Sequence, residues 1–383
     1  MDKEKIMNRE LLDTGYNICR FLGDEINFSS PDFSILNPCD ENLINFLKRH
    51  NLPTIVSCIV EKHNVDFTIP SYNHSKDVFK QLKYNIFADD ISKLFCDHKI
   101  NHILLKGKSI QKFYPEYIVR TSSDVDFYVP ECFMDQATNL MFNEGFTCDV
   151  GESFQKDSFY NIELHNDMGG LNKSQKQIML SLCDKYSDSE SFFSELTDSD
   201  IYVYAVNHLY KHFVLSGVGV RMFFDIYLMK KNAQLDFVYI NTMLSKLQID
   251  GFYETVLKIN DILFEGKKAS CELEEVIGFI FDSGMYGKLS TFDHLTIVTR
   301  QMSGVSSVEQ TLVNYGLGFK YMKNRYPILY KFPILYPFSF IHRFVNGMFN
   351  RRDVLNRVIK RRKNVAPDKI DEYKRIFEIA KIK

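Results

Sequence analysis

Asp124 and Asp126 stand two apart in Arg120-Thr121-Ser122-Ser123-Asp124-Val125-Asp126-Phe127-Tyr128-Val129. β-Branched and aromatic residues dominate this run, so it reads as a strand, and residues two apart on a strand project from the same face. Two carboxylates held side by side pay for desolvation and mutual repulsion unless a cation binds them or water reaches them. Read alone, the pair fits either a divalent metal site or two acids facing solvent at a sheet margin, because Asp-x-Asp is a weak motif. Glu163 tips the reading toward metal. It lies in a second strand-like run, Tyr160-Asn161-Ile162-Glu163-Leu164-His165, and three carboxylates form an oxygen-rich set suited to a hard cation such as Mg²⁺. Such a set can hold two ions roughly 3.5–4 Å apart, one activating an attacking oxygen and one stabilising a leaving pyrophosphate. The chemistry is of the phosphoryl-transfer type.

Other polar residues are placed to assist. His165 shares a strand face with Glu163. It either orients a substrate hydroxyl or acts as a base, or it hydrogen-bonds Glu163 and fixes its geometry; the second role is preferred as a supporting contact. His208, Lys211 and His212 recur at i, i+3 and i+4, one helix face. That face suits a position against the catalytic region, with Lys211 or His212 near nucleotide phosphate and His208 packed. Zinc is disfavoured there, since the upstream oxygen set prefers Mg²⁺ or Mn²⁺ and no Glu follows His208 as in metalloproteases. Arg221 and Asp225, also i and i+4, read as a structural ion pair.

The elements that must carry these residues follow from pattern and punctuation. Ile103-Leu104-Leu105 is a strand entering a glycine turn, and Phe133 to Glu144 is a helix with Gly145 as its C-terminal cap. Phe146-Thr147-Cys148 restarts a strand. Thr197-Asp198-Ser199-Asp200 supplies N-cap chemistry for the helix containing His208 and His212. Residues 1–98 form an N-terminal helical accessory region, 99–195 the catalytic core, 196–318 a helical domain and 319–383 a basic, aromatic tail. No internal repeat or low-complexity tract interrupts this order.

The order of motifs resembles the uncharacterised nucleotidyltransferase family of the DNA polymerase β-like superfamily. The carrying pieces are Leu105-Lys106-Gly107, Tyr114-Pro115, Arg120, Asp124-Val125-Asp126, Gly145-Phe146 and Glu163-Leu164-His165. The likeness continues through Asn207-His208-Leu209-Tyr210-Lys211-His212 and Arg221-Met222-Phe223-Phe224-Asp225, covering residues 90–235. It implies an α+β fold, a nucleotidyltransferase-like mixed β-sheet with helices flanked by N-terminal and C-terminal helical regions. It also implies nucleotide phosphates at Gly107, Lys108 and Ser109, metal at Asp124 and Asp126, and Glu163 as third ligand or base. One departure stands out. Lys108 follows Gly107 where the superfamily usually has Gly or Ser, and Asp124 lies 17 residues beyond Gly107, a longer gap than usual.

Gly107-Lys108-Ser109 is not the end of a P-loop, because His102 stands where that motif needs glycine. Lys106 and Lys108 can still neutralise triphosphate as point charges, while the planar fork of Arg120 suits a phosphate or a nearby carboxylate.

With 383 residues and 45% hydrophobic content the chain can bury a sizeable core. A net charge of −2 carries no overall nucleic-acid signature. Eight cysteines without a C-x-x-C, no secretory leader and no apolar run near the roughly 18 residues of a membrane span lead to a soluble cytoplasmic protein with reduced thiols. The C-terminal end differs. Residues 320–383 hold 17 Lys or Arg against 5 Asp or Glu, behind aromatic and proline-rich segments. This tail either meets an anionic membrane surface or RNA, or pairs with the acidic remainder of the chain. Together these features lead to a Mg²⁺- or Mn²⁺-dependent enzyme moving a nucleoside monophosphate from an NTP such as ATP to an acceptor: a small molecule, RNA or protein. A toxin-like enzyme acting on tRNA or a partner protein, and a catalytically inactive nucleotide-binding module, are the alternatives. Substituting either aspartate is expected to hold or raise the stability of the metal-free chain by relieving repulsion.

Overall fold

The computed structural model describes residues 3–148, 153–157, 160–186, 192–285, 287, 295, 298, 299, 322, 326, 329, 332–342 and 367–382. They belong to two compact units, one of residues 1–213, 217–287 and 379–382, the other of residues 214–216, 288–378 and 383.

The first unit opens with helices α1 (Lys3–Ile26), α2 (Glu41–Arg49), α3 (Pro53–Lys62) and α4 (His74–Asp97). Local chemistry starts each of the last three. Asp40 accepts from the backbone N–H groups of Asn42 and Leu43 to cap α2, Pro53 occupies the first turn of α3, and Asn73 caps α4 through Lys76 N–H. Beyond the sheet come α8 (Asp198–Leu215), α9 (Val220–Asn232), α10 (Phe237–Lys246), α11 (Asp250–Glu265) and α12 (Cys271–Ser283). Thr197 and Asp200 cap α8 reciprocally, Asp200 N–H donating to Thr197 Oγ1 at 3.2 Å and the hydroxyl returning to Asp200 Oδ2 at 2.8 Å. The N-terminal helices pack on this later group rather than standing apart. At Gly23 the backbone of α1 touches that of α11 so closely that a Cβ would lie 1.9 Å from the Phe264 carbonyl oxygen.

His50 joins three of these helices. Its Nδ1 accepts from Val220 N–H at the start of α9 at 3.2 Å, which leaves Nε2 to donate to the Phe281 carbonyl of α12 at 3.1 Å. The ring is fully buried, and burial pushes its pKa down to about 3.

Among the described residues the sheet has six strands in the order β3-β4-β5-β2-β1-β6: β1 (His102–Leu104), β2 (Val125–Tyr128), β3 (Thr147–Cys148), β4 (Ser153–Lys156), β5 (Tyr160–His165) and β6 (Phe193–Ser194). It is mixed: β1 runs antiparallel to β2, whereas β2 and β5 are parallel. Helices α5 (Lys108–Gln111), α6 (Glu131–Asn143) and α7 (Lys173–Asp184) lie between strands. The expected strands and helices of the core coincide with β1, β2, α6, β3, β5 and α8, and Gly145 ends α6 at φ +83°. The two short strands β4 and β6 carried no sequence expectation, since so few residues give no legible alternation.

Alternation divides the sheet into two faces. Val125 and Phe127 of β2, with Ile162 and Leu164 of β5, turn into a core shared with Tyr84, Ala88, Ile91 and Phe95 of α4 and with Met134, Ala137, Leu140 and Met141 of α6. Asp126, Glu163 and His165 therefore project from the other face. Burying the core residues fixes which face is polar, because a one-residue slip would put Asp126 into the apolar layer.

In the second unit a 3₁₀ turn, Pro333–Leu335, leads into helical residues 336–342, and residues 367–378 of helix α13 (Pro367–Ile379) belong to the same unit. The basic stretch 351–363 lies outside the described residues. No helix among the described residues is long and apolar enough to cross a membrane. Among the described residues the eight cysteines form no disulfide with one another.

Candidate active site

Strand register assembles the site. In the parallel β2–β5 pairing Asp126 lies directly opposite Glu163 and Tyr128 opposite His165. Leu105 N–H donates to the Asp126 carbonyl at 3.0 Å, which carries the chain past the head of β2 and delivers the next residue, Lys106, to the carboxylates. Lys106 Nζ lies 2.9 Å from Asp126 Oδ1 and 4.0 Å from Asp124 Oδ2. His165 Nε2 approaches the same Asp126 Oδ1 at 2.8 Å and Glu163 Oε2 at 3.4 Å.

The two aspartates have different electrostatic surroundings. Burial pushes Asp126 up, but the His165 hydrogen bond and the Lys106 charge outweigh it and hold the carboxyl below its ordinary value. Burial also raises Asp124, and there repulsion from Asp126 adds to it against a weaker pull from Lys106. Burial opposes the charge on Lys106, yet the aspartates keep its pKa above the usual lysine value. His165 behaves likewise: burial pulls down, and hydrogen bonds to Asp126 and Glu163 win, pushing it up to about 9. In the metal-free chain two cations thus face the cluster, and these surroundings support the expectation of unchanged stability on neutralising an aspartate for Asp124 alone. Asp126 has two partners to lose.

The other expected site residues divide into those near the carboxylates and those engaged elsewhere. Lys108 turns toward α4, where its Nζ meets Asp89 Oδ2 at 2.6 Å. Ser109 Oγ donates to the Leu104 carbonyl at 2.9 Å, closing the end of β1. Gly107 adopts φ +73° at the head of α5, and a Cβ there would stand 3.0 Å from Ser122 Oγ; the turn requires glycine for shape. Arg120 is buried and bound through Nε and Nη2 to Asp225 at 2.8 and 2.9 Å. Against burial, the Arg120 charge and then the Arg221 charge hold Asp225 below its ordinary value, so the expected i, i+4 partner is joined by a tertiary one. Sequence spacing favoured the i, i+4 partner because the tertiary one is 105 residues away.

Helix α8 turns one face toward the cluster. Tyr204 stacks on His208 with ring centroids 5.9 Å apart, and His208 meets His212 edge to face at 4.4 Å. Burial and then the Lys106 charge push His208 well below its usual pKa, and burial takes His212 to about 4. Both shifts favour neutral rings near pH 7. Burial lowers Lys211 while Asp167 and Glu163 pull the other way. Beside the segment 121–123 opens a cavity of about 360 Å³, lined also by Lys48, Arg49, Lys80 and Asp77.

The donor set fits a metal ion. Asp126, Glu163 and His165 each bring one ligand atom within 4.8 Å of the others. Asp126 Oδ2 is buried and has no hydrogen-bond partner among the described residues, and a buried carboxylate oxygen left so is costly unless something outside the chain binds it. His165 was expected to orient a substrate hydroxyl or act as a base, or, by preference, to hydrogen-bond Glu163. Its tighter contact is with Asp126, a pairing that only the β2–β5 register creates.

A mixed sheet that carries Asp126 on one strand, Asp124 at that strand's head and a glutamate opposite Asp126 on the parallel neighbour is a nucleotidyltransferase-like arrangement. The family model described as uncharacterised nucleotidyltransferase matches residues 40–265, and the chain belongs to that family. No curated protein and no solved structure matches it.

Proposed function

We propose that this protein is a metal-dependent nucleotidyltransferase that moves a nucleoside monophosphate from an NTP, such as ATP, to an acceptor hydroxyl or phosphate and releases pyrophosphate. The observation that carries this reading is the pairing of Asp126 with Glu163 across β2 and β5, with Asp126 Oδ2 unpartnered among the described residues. Asp124, Asp126 and Glu163 would hold Mg²⁺ or Mn²⁺. Bound there, the cation supplies charge for the developing pyrophosphate and an activated attacking oxygen. An acceptor oxygen bonds to the α-phosphorus, the bond from that phosphorus to the bridging oxygen breaks, and an acceptor proton leaves through the carboxylate cluster to solvent. Lys106 stands beside both aspartates to meet phosphate charge, with Lys211 and neutral His212 on the α8 side. Gly107 shapes the turn between them. We place the acceptor in the cavity beside residues 121–123, whose volume suits a small ligand or one end of a larger one. The reaction would run in the cytoplasm.

Incubation with each α-labelled NTP, Mg²⁺ or Mn²⁺ and cell extract tests this. Label should appear in one fraction with the wild type and vanish with Asp126→Asn. No labelled product under any combination would exclude transferase activity.

For the C-terminal tail we propose contact with an anionic lipid surface. Ile334 is 82% and Ile341 58% exposed, alongside exposed Phe332 and Phe338; aliphatic side chains offer lipid contact but no platform for an RNA base. Charge reversal at Arg351, Arg352, Arg361 and Arg362 should weaken cosedimentation with phosphatidylserine vesicles and flatten its salt dependence. Unchanged vesicle binding rules the contact out.

A further inference from the structure

Three ligand atoms of mixed chemistry converge at the sheet face. The oxygens of Asp126 and Glu163 and the Nε2 of His165 all lie within 4.8 Å of one another, and Asp124 is not in that group. Neighbouring ligands of an octahedral ion with bonds of about 2.1 Å stand about 3.0 Å apart. The separations from His165 Nε2, 2.8 Å to Asp126 and 3.4 Å to Glu163, fall on either side of that edge length. A second observation is independent of the cluster's composition: Asp126, only 1% exposed, keeps Oδ2 without a hydrogen-bond partner among the described residues. The backbone presents all three groups together, because parallel register places Asp126 opposite Glu163 and strand alternation places His165 on the same face.

Ligand chemistry then bears on metal choice. Mg²⁺ demands oxygen and retains several waters, whereas imidazole favours first-row transition dications, whose affinities for nitrogen-containing sites rise from Mn²⁺ upward. We propose that His165 ligates the metal directly through Nε2, and that this nitrogen gives the Asp126–Glu163 centre a preference for a first-row transition dication over Mg²⁺. The inference rests on the metal-dependent reading of the same site and names a property that reading leaves open. On binding, the Nε2 lone pair passes to the metal and the proton it held leaves to solvent, with no oxidation or reduction. His165 would thereby set the metal, while Asp124, outside the three-atom group, keeps its oxygens for a second ion or for water.

Mn²⁺ is the most conservative probe, since it gains least from nitrogen among these dications. Electron spin echo modulation of Mn²⁺ bound to the full chain should show directly coupled ¹⁴N, changing to the ¹⁵N pattern when the protein is made with ¹⁵N-histidine. His165→Gln should remove that coupling and weaken Mn²⁺ binding at least about tenfold while changing Mg²⁺ binding much less. A wild-type spectrum without nitrogen coupling overturns the proposal even if the variant fails to fold. So does coupling that persists in His165→Gln, which would point to His208 or His212, and so does an equal loss of both metals. Label transfer measured with Mg²⁺ in the same preparations separates the two readings: transfer without nitrogen coupling refutes the His165 ligand and leaves nucleotidyl transfer standing.

Discussion

Arg120 grips Asp225 through Nε and Nη2 at 2.8 and 2.9 Å, and Tyr114 Oη adds a hydrogen bond of 2.7 Å to the same carboxylate. The contact ties the segment leading into Asp124 to helix α9, so the entry to the carboxylate strand is held from a distant part of the chain. Burial raises Asp225, and the Arg120 charge more than offsets it. Removing one member strands the other. Asp225→Ala should cost roughly 3–5 kcal/mol, as for a broken buried pair, measured by urea unfolding. A loss below about 1 kcal/mol would mean that the pair is solvated in solution and that Arg120 is free for substrate.

The two aspartates should separate in a stability assay while agreeing in an activity assay. Asp124 sits where burial and Asp126 disfavour its charge, so Asp124→Asn should leave the metal-free melting temperature unchanged or raise it. Asp126→Asn removes the negative charge that pairs with Lys106 and His165 and should lower it by several degrees, as expected for about one to two kcal/mol, the difference between charged and neutral hydrogen bonds. Both variants should lose transferase activity. Equal melting shifts would contradict the asymmetry.

His50 makes an acid-sensitive clasp. Its pKa in the fold, about 3, lies below the 6.5 of an unperturbed histidine, so the unfolded chain binds the extra proton between those values. The contribution is complete above about 6.5 and is lost as pH falls toward 3. Nearby Arg49 deepens the shift and Asp282 opposes it. Unfolding free energy should therefore drop more steeply from pH 7 to 5 in the wild type than in His50→Gln, by up to about 2 kcal/mol. Parallel profiles would show that the ring is protonated or solvated in the fold.

Metal and nucleotide should stabilise the protein cooperatively. If cations bridge protein carboxylates and phosphate oxygens, Mg²⁺ or Mn²⁺ together with NTP raises the melting temperature by more than the sum of the separate shifts. Glu163→Gln should shrink the excess. Strict additivity would instead favour a nucleotide-binding module without a metal bridge.

Local sequence determined the strand faces, the helix caps and the grouping of Asp124 with Asp126 and of Glu163 with His165, because alternation and capping act over two to four residues. Val125, Phe127, Ile162 and Leu164 had to enter a core, which left the acids on the opposite face. Only tertiary structure decided which acid faces which. Parallel register between β2 and β5 set Asp126 against Glu163 and brought His165 to Asp126, 39 residues away in the chain. The same holds for Lys106, delivered by the antiparallel edge of β1, and for Arg120, which meets Asp225 across 105 residues of chain. Register and helix docking follow from packing the whole apolar surface at once, so no short-range period in the sequence records them.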